Sequence, residues 1–92
     1  MKTKPAPNLI PKVTGIYDLK YKAMSANPDS ERYYQLALSA ARNLGWPKNR
    51  GAGTLLEAIT YLEMNAGDVS METGEDGEAM IVDEINYCRD LV

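Results

Sequence analysis

Histidine and phenylalanine are absent from this chain of 92 residues, and cysteine and tryptophan occur once each, as Cys88 and Trp46. Without histidine the sequence lacks the side chain that most often serves as general acid or base near neutral pH. A lone cysteine leaves almost no route to a zinc site and excludes an intramolecular disulfide framework. Cys88 is accordingly read as a small apolar residue, buried or half-buried. No apolar run approaches the roughly 18 residues of a membrane span. The opening stretch, MKTKPAPNLIPKV, carries lysines but not the hydrophobic segment of a secretory leader. A cytoplasmic protein with no membrane contact is the expectation.

Little chemistry remains once histidine is gone. Neighbouring carboxylates occur at Glu75 with Asp76 and at Asp83 with Glu84. Adjacent acids in a turn or on a helix face are far more often solvated than catalytic. The acidic stretch 68–78 lacks the alternating Asp and terminal Glu of a calcium-binding loop. Gly51, Ala52, Gly53 and Thr54 open a helix and so invite an anion, because free N–H groups stand at a helix start. The run nevertheless has neither the Lys-Ser/Thr pair of a nucleotide loop nor a third glycine. A non-enzymatic protein is expected, with no catalytic, cofactor-binding or metal-binding residue.

At 45% apolar and 25% charged, the composition is that of an ordinary folded chain. Its length supports one domain with a modest core, burying about 60–65% of the surface the unfolded chain exposes. The net charge of −3 hides a division. Residues 1–50 hold nine Lys or Arg against Asp18, Asp29 and Glu31, a balance of +6, whereas residues 51–92 hold Arg89 against ten acids, a balance of −9. Such segregation bears on partners, or on attraction between the two halves, and not on fold.

The clearest helix is residues 28–45, PDSERYYQLALSAARNLG. At about 100° per residue, Tyr33, Leu36, Ala37, Ala40, Ala41 and Leu44 form one apolar arc, which Tyr34 and Leu38 widen until little of the circumference is polar. An arc that wide belongs to a helix covered on more than one side. Asn27 or Asp29 can cap its start, and Gly45 followed by Pro47 ends it. A second helix is predicted over 54–67, opened by a capping box of Thr54 and Glu57, striped by Leu55, Ala58, Ile59, Leu62 and Ala66, and closed by Gly67. Leu56, Tyr61 and Met64 fall outside that stripe, which implies contact with a further layer or a partner.

Residues 1–12, mixing Lys and Pro, read as a flexible arm ahead of a single globular domain over 13–92. In residues 16–24, Tyr17, Leu19, Tyr21 and Ala23 alternate with Asp18, Lys20 and Lys22, the pattern of a half-buried strand. The competing reading is a short helix, since Asp18 and Lys22 would form an i, i+4 pair. Val69, Met71 and Thr73 alternate likewise. Ile81, Ile85, Cys88 and Val92 mark one face of a C-terminal helix capped by Asp76, with a strand over 78–83 as the alternative. The predicted fold is α+β and helix-dominated: a helix hairpin and a C-terminal helix, with a minor antiparallel sheet pairing 16–24 with 69–73. An all-α small bundle and a βααββ order with a C-terminal hairpin are the alternatives.

Tyr34, Ala37, Leu38, Ala41, Leu44 and Gly45 are spaced as in half of a tetratricopeptide repeat. No second copy stands about 34 residues on. The match therefore reads as helix-packing residues and implies no family.

Two functions from different classes fit these features. The first is a small interaction protein that binds and blocks or regulates a larger machine, as inhibitors from phages and mobile elements do, the machine being a larger protein or a ribonucleoprotein or DNA-handling complex. The second is a nucleic-acid-binding regulator using Lys12, Lys20, Lys22, Arg42, Lys48 and Arg50 on phosphates, against which the sequence pI of about 4.8 weighs. The expected contact site is the loop Trp46, Lys48 and Arg50, an aromatic anchor beside two cations. Lys20, Lys22 and Arg42 would extend the basic side, and Glu75, Asp76 and Glu78 would form an acidic counterpart. The helical arc itself is open to test. Ala40→Glu should lower stability by several kcal/mol by burying a carboxylate and overpacking the arc, and an unchanged melting temperature would show the arc drawn wrongly.

Overall fold

The computed structural model describes residues 10–46 and 54–89. Four helices follow one another: α1 (Ile16–Met24), α2 (Ser30–Asn43), α3 (Leu55–Thr73) and α4 (Gly77–Arg89). No strand occurs among the described residues, so the predicted sheet is replaced by an all-α bundle.

The arc on α2 is buried as its spacing requires. Tyr33, Leu36, Ala37, Leu38, Ala40 and Ala41 are all in the core, and α2 packs against α1, α3 and α4. Asn27 Oδ1 accepts the Asp29 N–H at 2.7 Å ahead of the helix, and Gly45, at φ 104°, turns the chain away at its end.

Residues 16–24 form a helix and not a strand because the buried residues repeat at helical spacing. Ile16 and Leu19 are buried and Ala23 packs against them, while Tyr17, Tyr21 and Met24 point outward. The alternation had counted the two tyrosines as inward. Lys22 Nζ meets Asp18 Oδ2 at 3.3 Å, the i, i+4 pair of the helical reading. At the helix start the Asp18 carboxylate accepts the Thr14 N–H at 3.0 Å, and Glu78 reaches from α4 to accept the Ile16 N–H at 3.1 Å.

Both halves of the capping box form on α3, with Glu57 N–H donating to Thr54 Oγ1 and Thr54 N–H donating to Glu57 Oε1, each at 3.1 Å. The helix does not stop at Gly67. It runs on through the stretch predicted as the second strand and ends at Gly74, φ 76°. A mid-helix glycine lowers helix propensity by about 1 kcal/mol, too little by itself to break a helix; past it Val69 is half-buried, and Ser70 Oγ accepts the Gly77 N–H at 2.9 Å, which ties the last turns of α3 to the start of α4. Val69 and Thr73 are themselves i, i+4 neighbours, and Thr73 Oγ1 donates to the Val69 carbonyl at 2.8 Å.

On α4, Ile81, Ile85 and Cys88 are buried on one face, and Asp76 Oδ1 accepts the Ala79 N–H at 3.2 Å. Val92 lies outside the described residues. Ile10, read as part of a flexible arm, is packed into the body, and the chain through the exposed Pro11 and Lys12 is held to it. Ile10 and Val13 are buried, Asn86 both donates to the Val13 carbonyl and accepts its N–H at 3.0 Å, Arg89 donates to the Ile10 carbonyl at 2.9 Å, and the Tyr33 hydroxyl donates to the Pro11 carbonyl at 3.2 Å.

The start of α4 lies hard against α3. A Cβ added at Gly77 would overlap the Ala66 carbonyl oxygen and stand 2.6 Å from Ser70 Oγ, the atom that accepts the Gly77 N–H. Gly77→Ala should therefore force the helices apart and lower stability by about 1–3 kcal/mol, read by urea denaturation. Gly74→Ala, with no atom near, should act only through its left-handed backbone. Equal stability of Gly77→Ala and the native chain would contradict the close approach.

Candidate functional site

Sequence reasoning proposed nine contact residues, and the fold does not gather them into one place. Trp46 is 6% exposed and belongs to the core. Its N–H donates to the Ala41 carbonyl at 2.9 Å, and the turn at Gly45 lays it back over the helices. The indole joins the core cluster against which Leu44 and Tyr61 also pack, so a tryptophan flanked by Gly45 and Pro47 in sequence is covered in space. Only an edge of Trp46 is left to line a groove. Lys48 and Arg50, and the glycine run 51–53, lie outside the described residues.

Lys22 is committed within the molecule. Besides its pair with Asp18, its ammonium stands 5.7 Å from the centre of the Tyr33 ring. Arg42 is exposed in the last turn of α2, where a cation favours the helix dipole. The acidic trio divides too. Asp76 caps α4 and Glu78 caps α1, so both serve the fold, whereas Glu75 is exposed in the turn. Reversing all three charges together would therefore disturb two helix starts as well as any contact surface.

Lys20 is the predicted residue that the fold places in a recognisable surface. Helical period sets Tyr17, Tyr21 and Met24 on the side of α1 opposite its core residues, 73%, 61% and 59% exposed, with half-buried Lys20 beside them. With Ser25 they line an open groove of about 310 Å³. The i, i+3, i+4, i+7 spacing is that of a helix face offered to another molecule, with two aromatic rings, a flexible thioether and a cation. Reading 16–24 at a period of two hid this face; a period of 3.6, testable from Ile16, Leu19 and Ala23 alone, finds it. A second open groove, of about 370 Å³, runs along the outer side of α3 beside Trp46. Both are at the small end of the range for enclosed small-molecule sites and lie open along one helix, a shape that suits a macromolecular surface better.

Among the described residues no group of three or more His, Cys, Asp or Glu could hold a metal ion, and no helix is long and apolar enough to cross a membrane. Comparison with protein-family models, with curated proteins and with solved structures finds no match.

Two buried groups have displaced acidities. Burial raises the Cys88 thiol above its ordinary value, the Glu84 carboxylate raises it further, and the hydrogen bond from Asn43 at 3.3 Å works the other way. Such a thiol stays protonated and is a poor nucleophile. Tyr33 is also raised, chiefly by burial, with Lys22 opposing and Asp29 and Asp18 adding to the rise. In both cases the neutral form is favoured in the folded state, so the stabilisation is complete below the unfolded group's pKa and is lost as pH rises through the folded value. Urea midpoints should therefore fall on the alkaline side, beginning at about pH 8.5 for the thiol and about pH 10 for the phenol. Cys88→Ala should flatten the earlier part of that slope and Tyr33→Phe the later; slopes identical to the native chain would remove these groups as its source.

Proposed function

We propose that this protein is a small non-enzymatic interaction protein that binds and thereby blocks or regulates a larger macromolecular assembly, and that the outer face of α1 is its docking surface. The observation that carries the reading is the exposure of Tyr17, Tyr21 and Met24 along one side of α1 with Lys20 at their edge. Exposed side chains of this size set together in one stripe leave the apolar effect unsatisfied in the free protein. Tyrosine and methionine are also the types enriched at the centres of interfaces. The partner surface is an apolar groove with a carboxylate at its rim to meet Lys20.

Charge on the folded body favours a protein partner over free nucleic acid. Of the five cations in residues 10–46, Lys22 and Arg32 are held in ion pairs by Asp18 and Asp29. Residues 54–89 set nine acids against Arg89. A body of that sign repels a phosphate backbone unless another component of the complex bridges them.

Affinity capture from a lysate with and without nuclease, using the native chain and a Tyr17→Ser, Tyr21→Ser variant, tests the reading. The native chain should retain the same partner protein in both lysates, and the variant should lose it with an unchanged melting temperature. Retention by the variant, or loss from the native chain after nuclease, would overturn the proposal, the second outcome pointing to nucleic acid as the ligand.

A further inference from the structure

The outer side of α3 offers a surface separate from α1. Leu56, Thr60, Met64, Gly67 and Met71 are all exposed, and at helical period they fall in one row along a helix about 28 Å long. Gly67 stands in that row without an internal reason. Among the described residues nothing lies within 4 Å of the place its Cβ would take, and its φ is not in the left-handed region. Alanine would fit there and favour the helix, so the molecule forgoes helix stability to keep a notch in its surface. A missing side chain on a helix face lets a second backbone approach closely.

The row is edged by carboxylates, Glu63 on one side and Asp68 and Glu72 on the other, and α3 contains no Lys or Arg. A second copy presenting the same face would set like charges opposite one another. A helix with cations on either side of an apolar stripe is complementary instead.

We infer that the outer face of α3 is a docking site for a basic amphipathic α-helix of another protein, which lays its apolar stripe along Leu56, Met64 and Met71 and crosses α3 at Gly67. With the α1 face, this makes the protein a bridge between two partners. The α3 site stands on its own observations and does not require the α1 reading.

The test uses a fluorescently labelled helical peptide of leucine and lysine, about five turns long with one leucine face, and a counterpart with glutamate in place of lysine. Anisotropy should show saturable one-to-one binding of the lysine peptide and none of the glutamate peptide. Gly67→Gln, which changes no charge, should raise the melting temperature yet weaken the lysine peptide at least tenfold, while Tyr17→Ser, Tyr21→Ser should bind it as the native chain does. Equal affinity of Gly67→Gln and the native chain would reduce the binding to charge attraction and overturn the inference, as would no binding at all. Sedimentation showing a dimer of the native chain that Gly67→Gln dissociates would also overturn it, by making a second copy the occupant.

Discussion

Everything in this bundle is arranged around the shortage of side-chain volume on α2. Ala37, Ala40 and Ala41 have no exposed surface, yet each contributes a single methyl group. Neighbouring helices must come close to fill the space, and α1, α3 and α4 all do. Larger groups are supplied from the other side of each contact: Leu19 from α1, Ile59 and Leu62 from α3, Ile85 from α4, all buried. The exposed strip of α2 is polar, Glu31, Gln35, Arg42 and Asn43, so the exposed apolar surfaces of the molecule are carried by its partners. That is why both candidate docking faces lie on α1 and α3.

Polar groups do a different job, holding segments that have no helix of their own. Residues 10–13 make no regular structure, and their carbonyls and N–H groups would be costly to bury without partners. Asn86, Arg89 and Tyr33 supply those partners from α4 and α2, and Glu78 does the same for the first turn of α1. The acids and amides of α4 thus face two ways, some toward water and some toward the N-terminal segment.

How much of this was legible followed from whether local and tertiary signals agreed. In residues 28–45 the period, the start and the stop all coincide, and the helix lies where the spacing puts it. In α4 the apolar residues Ile81, Ile85 and Cys88 suffice. Where signals conflicted, the shorter pattern misled. Nine residues of α1 satisfy a strand-like alternation only if tyrosine counts as inward, and a tyrosine with a polar edge serves equally well outside. Gly67 resembles the end of a helix in sequence, yet its backbone stays helical, and it is Gly74 that turns left-handed and ends α3 with its N–H on the Ser70 carbonyl. Trp46 failed as a contact anchor for a related reason: isolation along the chain says nothing about isolation in space. The exposed faces of α1 and α3 depend on the very helix assignments that the local patterns obscured.

The clamp on residues 10–13 also orders events in time. Its donors and acceptors at Asn86 and Arg89 stand more than seventy positions further along the chain. During synthesis on a ribosome, α1 and α2 leave before those residues exist, and Ile10 and Val13 have nothing from α4 to pack beneath. Closing so long a loop is slow compared with forming adjacent helices. The nascent bundle therefore stays open along the seam where α4 will lie, with α2 wet on one side, until α4 emerges and draws residues 10–13 over it.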